Sequence, residues 1–272
     1  MVAKHLFWGM CLVVLGGSVM AQDARLERLD TTDAGQDWQA VGRLDIDGKG
    51  FCTGALIAPD LVLTAAHCVF DSRTGAQVDP GGIEFRAGWR NGRAEAYRAV
   101  RRAVVHPDYV FNRDISADRV RNDVALLELQ RPIRIPSVTP FETAQRPRKG
   151  AEIGVVSYAH DRAEAPSLQE VCSVMARQSG ILVMSCNVDF GSSGAPVFSF
   201  VGDTPQIVSV VSAKAQVNGA NVSLGTALTE PLVTLKAELA RGSGYGLDPA
   251  PQVNRLTVGG MRRDTGAKFV KP

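Results

Sequence analysis

The sequence predicts an all-β protein built as a barrel or a sandwich. Short apolar or alternating runs, such as 41–44, 53–57 and 124–129, recur along the chain. Turn-forming segments separate them, among them 58–60 and 79–82. Short strands at this spacing are typical of all-β barrels and sandwiches. The composition is that of an ordinary globular protein, because 45% of the 272 residues are hydrophobic and 21% are charged.

A proline-containing stretch divides the strands into two sets. Residues 130–150 contain four prolines and scattered charge, which suits an extended connector between two domains. We therefore expect an N-terminal β domain over residues 41–135, a connector over 136–150 and a second β domain over 151–240. The second domain would hold both its strands and a C-terminal helix.

That helix is the one convincing helical segment of the sequence. Thr229, Glu230 and Pro231 open it, and it extends from Leu232 to Ala240. A threonine at the cap accepts a hydrogen bond from an otherwise unpaired backbone N–H group, and a proline in the first turn loses no hydrogen bond. We expect the helix to end the second domain.

The first 21 residues predict an export signal. Lys4 precedes an apolar run of about ten residues, which is too short to span a bilayer, and Ala21 is the small residue that signal peptidase prefers at its cleavage site. We expect cleavage after Ala21, a secreted or periplasmic protein and no transmembrane segment. Residues 22–40 are polar and charged without alternation, so we interpret them as a leader or propeptide-like arm.

Cysteine usage agrees with export. Cys11 lies within the predicted signal, so an even number of cysteines remains in the mature chain: Cys52, Cys68, Cys172 and Cys186. An even number in an exported protein indicates disulfides rather than a metal site. Four cysteines allow three connectivities, and the sequence alone does not choose among them. The short-range pairing of Cys52 with Cys68 and of Cys172 with Cys186 is the simplest.

The charge balance argues against a nucleic-acid partner. The chain has 30 Lys and Arg residues against 28 Asp and Glu residues, and a net charge of +2 creates no global field for nucleic acid or an anionic membrane. Residues 241–272 are basic, with six Lys or Arg residues against two acidic ones. We expect a basic, disordered tail there, and the alternative is a docking arm for an acidic partner.

Three short segments carry the residue types that acyl transfer needs. His67 follows an apolar strand in LTAAHC, Asp123 stands ahead of a strand in RNDVALL, and Ser193 lies between glycines in DFGSSGAPVF. A serine hydroxyl is a poor nucleophile until an imidazole can take its proton, and that imidazole needs a carboxylate on its other nitrogen. The oxyanion that forms needs backbone N–H donors, for which Gly191 and Ser193 are the candidates.

In the order His, Asp, Ser, these segments resemble the trypsin/chymotrypsin-like serine peptidases, over roughly residues 40 to 240. The resemblance implies a fold of two six-stranded antiparallel β-barrels with a C-terminal helix. It implies a secreted serine endopeptidase that acts through a Ser-His-Asp triad and an acyl-enzyme. It also implies the disulfide Cys52–Cys68 beside the histidine, and it makes Ser212 a second partner for Asp123.

Where this sequence departs from the digestive members of that family, it resembles the bacterial branch, which includes glutamyl endopeptidase-like enzymes. Ser192 stands where digestive members have an aspartate that pairs with a freshly cut N-terminus, and no R-IVGG-like junction occurs near Val41. We therefore hypothesise that activity does not require an N-terminal ion pair. Ala195 replaces a glycine, which fits unless the backbone needs a positive φ.

The specificity pocket is the least determined part of the predicted site. Cys186 lies seven residues before Ser193, unlike the pattern of digestive members. Candidates for the pocket wall are Asn187, Val188, Ala213, Lys214 and Gly225, of which Ala213 and Lys214 join Ser212 as predicted substrate contacts. Lys214 is interpreted either as a contact for an acidic side chain of the substrate or as an exposed lysine at a strand end. Asp189 is interpreted as a loop acid or a pocket-adjacent acid.

Two other functions compete with the peptidase. One is a catalytically silent binding or regulatory module on the same fold. The other, an α/β-hydrolase esterase, does not agree with the chain order of the three residues or with the absence of a G-x-S-x-G motif. We expect a monomer that acts on a protein or peptide substrate without a cofactor or a metal. Asp71, Asp79 and Glu84 are interpreted as solvated acids rather than calcium ligands.

Overall fold

Strands dominate the computed structural model, which describes residues 26–246 apart from residues 146, 203 and 218. The predicted signal segment 1–21 and residues 247–272 lie outside the described residues. Within the described part, no helix is long and apolar enough to cross a membrane.

The described residues form fourteen strands and three α-helices. The strands are β1 Leu26–Arg28, β2 Val41–Ile46, β3 Gly50–Ala58, β4 Leu61–Thr64, β5 Ile83–Ala87, β6 Ala96–Val105, β7 Ala125–Leu129, β8 Glu152–Ser157, β9 Ser167–Gln178, β10 Ile181–Met184, β11 Pro196–Val201, β12 Thr204–Val217, β13 Ala220–Ala227 and β14 Tyr245–Gly246. The helices are α1 Thr32–Gly35, α2 Ala117–Asn122 and α3 Thr229–Ala240.

The first barrel is a closed antiparallel sheet of six strands. Its strands follow the order β6-β5-β2-β3-β4-β7, and the pairing of β6 with β7 closes the ring. Strand β5 shows the pattern that produces it, because Ile83, Phe85 and Ala87 are buried while Glu84 and Arg86 are partly exposed. Successive side chains of a strand point to opposite faces, so one face of β5 lines the barrel core.

The second barrel is closed in the same way. Its strands follow the order β8-β9-β10-β13-β12-β11, and β8 pairs with β9. Its core contains the buried side chains of Ile153, Leu182, Met184, Val197 and Val208. Two closed six-stranded barrels followed by a C-terminal helix confirm the fold that the resemblance implied.

Short strands near both ends of the described chain extend the two sheets. β1 pairs with β9 of the second barrel, and β14 pairs with β6 of the first, with Tyr245 opposite Ala103. The sequence predicted disorder from residue 241 onward, and the structure corrects this for residues 241–246. Residues 245–246 pair with β6, and the backbone N–H groups of residues 241–243 donate to carbonyls of α3. Such backbone bonds leave no signal in side-chain composition.

The segment predicted as a leader-like arm packs onto the barrels from residue 26 onward. Leu29 is 1% exposed and Trp38 is 8% exposed, so both belong to the core. The ring of Trp38 lies 5.0 Å from that of Phe198 and 6.1 Å from that of Phe141. The segment buries isolated side chains rather than one continuous face, which is why no periodicity marked it.

The connector is also packed against the protein. Val138 and Phe141 are buried, and Thr143 forms a parallel bridge with Ile207 of β12. The backbone N–H group of Phe141 donates to the carbonyl of Leu56 in β3. The connector therefore contacts both barrels.

Both short-range disulfides are present. Cys52–Cys68 joins β3 to the turn after β4, and Cys172–Cys186 joins β9 to the segment after β10. The simplest of the three possible connectivities is thus confirmed. Each closure stabilises the fold by roughly 2–4 kcal/mol in the chain-entropy picture.

The helices agree only in part with the sequence prediction. Helix α3 is present, but Thr229 is its first residue rather than its cap, and Leu228 at the cap position offers no side-chain acceptor. The mixed charges of residues 113–121 are typical of a surface loop, but Ala117–Asn122 form helix α2. The Ser116 hydroxyl caps it by accepting the Arg119 N–H, and Val120 is its only buried residue, which is too little for an amphipathic pattern.

Trp38 tests whether residues 26–40 belong to the folded unit. We expect Trp38→Ala to lower the free energy of unfolding by about 3–5 kcal/mol, because it removes a buried aromatic ring from between two others. Urea unfolding of the purified protein measures this, with Val233→Ala as the control at a 68% exposed position. Equal effects of the two substitutions would show that Trp38 is not part of the core in solution.

Candidate active site

The structure brings the three predicted triad residues together between the barrels. His67 and Ser193 line one cleft of about 750 Å³. Asp123 is hydrogen-bonded to His67 and is fully buried. The first barrel contributes His67 and Asp123, and the second contributes the loop that carries Ser193.

His67 lies in a short 3₁₀ turn, Ala66–Val69, directly after β4. The disulfide from Cys68 to Cys52 ties this turn to β3. The His67 backbone N–H donates to Asp123 Oδ1 at 2.8 Å, and Nδ1 lies 2.7 Å from Asp123 Oδ2. An ionised carboxylate can only accept hydrogen bonds, so Nδ1 carries the proton and Nε2 remains available as a base.

The Asp123 carboxylate is held ionised inside the protein. Burial by itself disfavours its charge, but attraction to the His67 ring in its protonated form and hydrogen bonds from His67 and Ser212 outweigh that cost, so the pKa of Asp123 lies below its usual value. The Ser212 hydroxyl donates to Oδ2 at 2.5 Å. Thr226 Oγ1, which the sequence did not single out, lies 2.6 Å from the Val120 carbonyl and 3.2 Å from that of Asp123. These contacts fix the backbone behind the carboxylate.

Glycines allow the turn that presents Ser193. Gly191 has φ +97° and Gly194 has φ +76°, in the region that favours glycine. A Cβ atom on Gly194 would lie 2.1 Å from Thr64 Oγ1, so the first barrel leaves no room for a side chain there. Ala195 does not have a positive φ, so the backbone at this position accommodates alanine in place of glycine.

The backbone donors next to Ser193 are unused. Within residues 189–196, the N–H groups of Ser192 and Gly194 bond to protein carbonyls, whereas those of Gly191 and Ser193 have no protein acceptor among the described residues. Two unpaired N–H donors, one on the serine itself and one two residues before it, are suited to binding an oxyanion. Among the described residues, no hydrogen bond joins the Ser193 hydroxyl to His67. In many hydrolases this bond is long without substrate and shortens only when substrate binds.

Neutral contacts hold Ser192, the residue that departs from the digestive pattern. It is 0% exposed, and its Oγ lies 3.1 Å from Ser157 Oγ and 3.2 Å from the Tyr158 carbonyl. Both partners are at the end of β8 or directly after it. The second barrel therefore satisfies this hydroxyl without a charged group.

Thr53 of the first barrel holds the serine loop of the second. Its backbone N–H donates to the Ser193 carbonyl at 2.9 Å, and its Oγ1 donates to the Gly191 carbonyl at 2.8 Å. The same Oγ1 accepts the Tyr158 N–H at 3.1 Å. Sequence reasoning missed Thr53 because it stands in an ordinary strand pattern, and no local signal marks it.

The predicted substrate contacts lie on β12 and lead to a second cavity. Ser212 is buried against Asp123, Ala213 is half-buried, and Lys214 is exposed. Lys214 Nζ lies 2.7 Å from Asp189 Oδ1 and 4.7 Å from the centre of the Phe190 ring. The hydrogen bond from Lys214 lowers the pKa of Asp189.

That cavity has a volume of about 460 Å³. Of the predicted wall residues it includes Asn187, Val188 and Lys214, whereas Ala213 and Gly225 are not in its lining. Side-chain and backbone atoms of Ser209, Met184 and Val210 crowd Gly225, at 2.4–3.1 Å from where its Cβ would be.

The one cluster of three potential metal ligands among the described residues is not a metal site. It consists of Cys52, His67 and Cys68. The two cysteines form a disulfide, so neither offers the thiolate that binds a metal. Asp71 and Asp79 instead accept backbone N–H groups of their own loops.

Comparison with known proteins identifies the family. A sequence profile named Trypsin matches residues 29–229, which is more than half of the chain. This chain belongs to the trypsin family. The profile begins within the segment that the sequence had set apart as an arm.

Two curated relatives support the family. Cathepsin G of Mus musculus is 35% identical over 104 residues, which are 38% of this chain and 35% of that protein. Glutamyl endopeptidase of Bacillus licheniformis is 25% identical over 187 residues, which are 66% of this chain and 54% of that protein. The match to this chain thus spans about a third of the first relative and about half of the second.

Solved structures share the trypsin-family fold. A Glu endopeptidase in complex with MPD superposes with a TM-score of 0.66 at 20% identity, covering 82% of this chain and 99% of that one. The thermostable serine protease AL20 from an extremophilic microorganism has a TM-score of 0.61 at 19% identity, covering 76% and 100%. Both confirm the fold, and the Bacillus relative supports the resemblance to the glutamyl endopeptidase branch.

Ser212 tests the electrostatics of the buried carboxylate. The lowered pKa of Asp123 stabilises the fold fully above about pH 3.9, the ordinary aspartate pKa, and this contribution is lost as the pH falls through the lower folded value. We expect Ser212→Ala to lower the free energy of unfolding by about 1.5–3 kcal/mol at pH 7, where the lost bond is to a charge, and by less only at acidic pH, as the pH falls through the lowered pKa of Asp123. Urea unfolding over this pH range measures both values.

The matched control is Ser209→Ala in the same strand. Ser209 is equally buried, but its hydroxyl donates to the Thr226 carbonyl at 2.7 Å, which does not titrate. Its effect on the free energy of unfolding should be independent of pH. A pH-independent effect of Ser212→Ala as well would contradict the account of Asp123.

Proposed function

We propose that this member of the trypsin family is an exported serine endopeptidase, with Ser193 as nucleophile, His67 as base and Asp123 as the residue that orients His67. One observation carries the proposal: a buried, ionised Asp123 bonds to His67 in the cleft that Ser193 also lines. This arrangement fixes the tautomer that leaves Nε2 basic, which is what activation of a serine hydroxyl requires.

In the first half of the proposed reaction, Ser193 Oγ attacks the carbonyl carbon of the scissile peptide bond while His67 Nε2 takes the hydroxyl proton. The imidazolium that forms is stabilised by the adjacent negative charge of Asp123. The oxyanion of the tetrahedral intermediate accepts hydrogen bonds from the free N–H groups of Gly191 and Ser193. His67 then gives its proton to the leaving amine, the C–N bond breaks, and an acyl ester remains on Ser193.

The second half repeats the same roles with water. His67 removes a proton from a water molecule as its oxygen attacks the acyl carbon, and the same N–H groups stabilise the second oxyanion. When this intermediate collapses, the proton returns to Ser193 Oγ and the peptide acid leaves. Protons, electrons and atoms balance over the cycle without a cofactor or a metal.

Substrate contacts in this proposal come from β12. The proposed contacts are Ser212, Ala213 and Lys214. The name of the Bacillus relative suggests cleavage after glutamate, but here the ammonium group of Lys214 is already paired with Asp189. An acidic substrate side chain would compete with that carboxylate for Lys214.

Export in this proposal rests on residues 1–21 as a cleaved signal and is supported by two disulfides, which persist in oxidising compartments. We propose a mature monomer in which residues 41–135 and 151–240 are the two barrel domains and residues 136–150 connect them. Proteins or peptides are the proposed substrates.

A fluorophosphonate probe tests the nucleophile. We expect the mature wild-type protein to be labelled and Ser193→Ala not to be, because phosphonylation requires an activated serine hydroxyl. Hydrolysis of a peptide library should fall about 10⁶-fold in Ser193→Ala and about 10⁴-fold in Asp123→Asn. Mass spectrometry locates the label and single-turnover kinetics measure the rates.

Ser192→Ala is the matched control, since it removes the neighbouring hydroxyl and leaves Ser193 in place. It should still be labelled, even if more slowly. Absence of labelling in a correctly disulfide-bonded wild type would favour the catalytically silent binding module instead.

A second test concerns the N-terminus. Because Ser157 and Tyr158 satisfy Ser192 without a charged group, we expect kcat to be the same, within about twofold, for mature protein beginning at residue 22 and for the same protein with two extra glycines at its start. Active-site titration and peptide hydrolysis measure kcat for both. Activity that appeared only after cleavage within residues 22–40 would show that the new terminus is needed.

A further inference from the structure

A groove of about 1370 Å³ lies outside the candidate active site. Helix α1 and the turn after it, the connector, β8, β9 and the hairpin between β11 and β12 line it. Among its described lining residues are four acidic residues and no lysine or arginine. We call it the acidic groove, after Asp37, Glu142, Glu152 and Glu170.

The carboxylates of the acidic groove are not neutralised by the described part of the chain. All four residues are exposed, and none forms a salt bridge with a described residue. Within the described residues, the side chain of Glu142 accepts one hydrogen bond, a neutral one from Gln206 Nε2 at 3.2 Å. Like charges gathered on one concave surface raise each other's energy and attract a cation.

Other features of the acidic groove also suit a ligand. Phe200 is 38% exposed, and its ring lies over Gly154, where a Cβ atom would come within 3.2 Å of it. Gln39 lines the groove, is only 7% exposed, and its Oε1 has no hydrogen-bond donor within the described residues. A buried amide oxygen without a donor is unfavourable, and rotation of the Gln39 side chain toward the groove would let a lysine or arginine of a bound peptide supply the donor. Aromatic rings, an unpaired acceptor and carboxylates together match a basic peptide.

We propose that residues 247–272 of this chain dock in the acidic groove. This segment has five basic residues against two acidic ones, Asp248 and Asp264, and it also has apolar side chains for the aromatic surface. The basic residues are Arg255, Arg262, Arg263, Lys268 and Lys271. The charge of this segment complements that of the groove. Because the segment belongs to the same chain, its effective concentration at the groove is high, which favours docking.

The reach of the segment is sufficient. The described chain ends at Gly246, on the first barrel. Its 26 remaining residues span up to about 90 Å when extended, against a radius of gyration of about 17 Å expected for a domain of this size. The other terminal segment is a poorer match, because residues 22–25 carry one acid, Asp23, and one base, Arg25.

Photocrosslinking in the full mature chain tests the proposal. Phe200→p-benzoylphenylalanine places a photoreactive group in the groove, and a Ser193→Ala background prevents self-digestion. We expect crosslinked monomer whose peptides, identified by mass spectrometry, join position 200 to residues 247–272. The control is the same photoreactive group at Val233 of α3, which is 68% exposed and does not line the groove.

Charge reversal supplies a second measurement that does not depend on the control. Glu152→Lys and Glu170→Lys should each lower the crosslink yield about twofold to fivefold, whereas Asp60→Lys, exposed but outside the groove, should not. Thermal melting checks that each variant is folded.

Each of four results would overturn the proposal. They are equal crosslinking to the tail from positions 200 and 233, crosslinks to residues 22–25, a crosslinked dimer that increases with concentration, and yields unaffected by the reversed charges. The second and third would assign the groove to the other terminal segment or to a second copy of the chain.

Discussion

One buried carboxylate, that of Asp123, determines how the two barrels must fit together. Removing a charged carboxylate from water costs several kcal/mol unless hydrogen bonds and an opposite charge compensate for it. His67 supplies two donors from the first barrel, and Ser212 supplies one from the second. Thr226 holds the backbone on which the carboxylate stands. The charge is therefore satisfied only when both barrels are docked in one register, and the cleft forms at that seam.

The serine loop shows the opposite arrangement of polar groups. Both carboxylate oxygens of Asp123 accept hydrogen bonds from inside the protein, whereas the N–H groups of Gly191 and Ser193 have no acceptor among the described residues. Unpaired donors are held in place because Thr53 bonds to the carbonyls of the same two residues. In the proposed mechanism these two N–H groups bind the oxyanion. Holding the carbonyls of Gly191 and Ser193 in place would limit the rearrangement that anion binding costs, which is the physical basis of electrostatic preorganisation.

Much of the fold was predictable because strands leave a local signature. The alternation in Ile83–Ala87 comes from a pleat with one face toward a core, and it is visible in five residues. Trp38 and helix α2 left no such signature. Trp38 is a single large side chain that packs against rings distant in the chain, and α2 is a short helix with one buried residue. The tail shows the same limit: composition predicted disorder from residue 241, but backbone pairing of β14 with β6 depends on what lies beside it.

The amino-acid sequence by itself determined the identity and order of the residues in the candidate site, since histidine, aspartate and serine each stand in a short motif with its own turn chemistry. It also limited the disulfides to three pairings and marked Ser192 as a departure. The tertiary structure alone decided that Thr53 meets the serine loop, Ser192 meets neutral partners and Lys214 meets Asp189. It also gave the hydrogen bond between Ser212, which the family resemblance had suggested as a partner, and Asp123 across 89 residues of chain. Most of these contacts join segments far apart in the chain and depend on how the strands and loops pack, so no local pattern of residues encodes them.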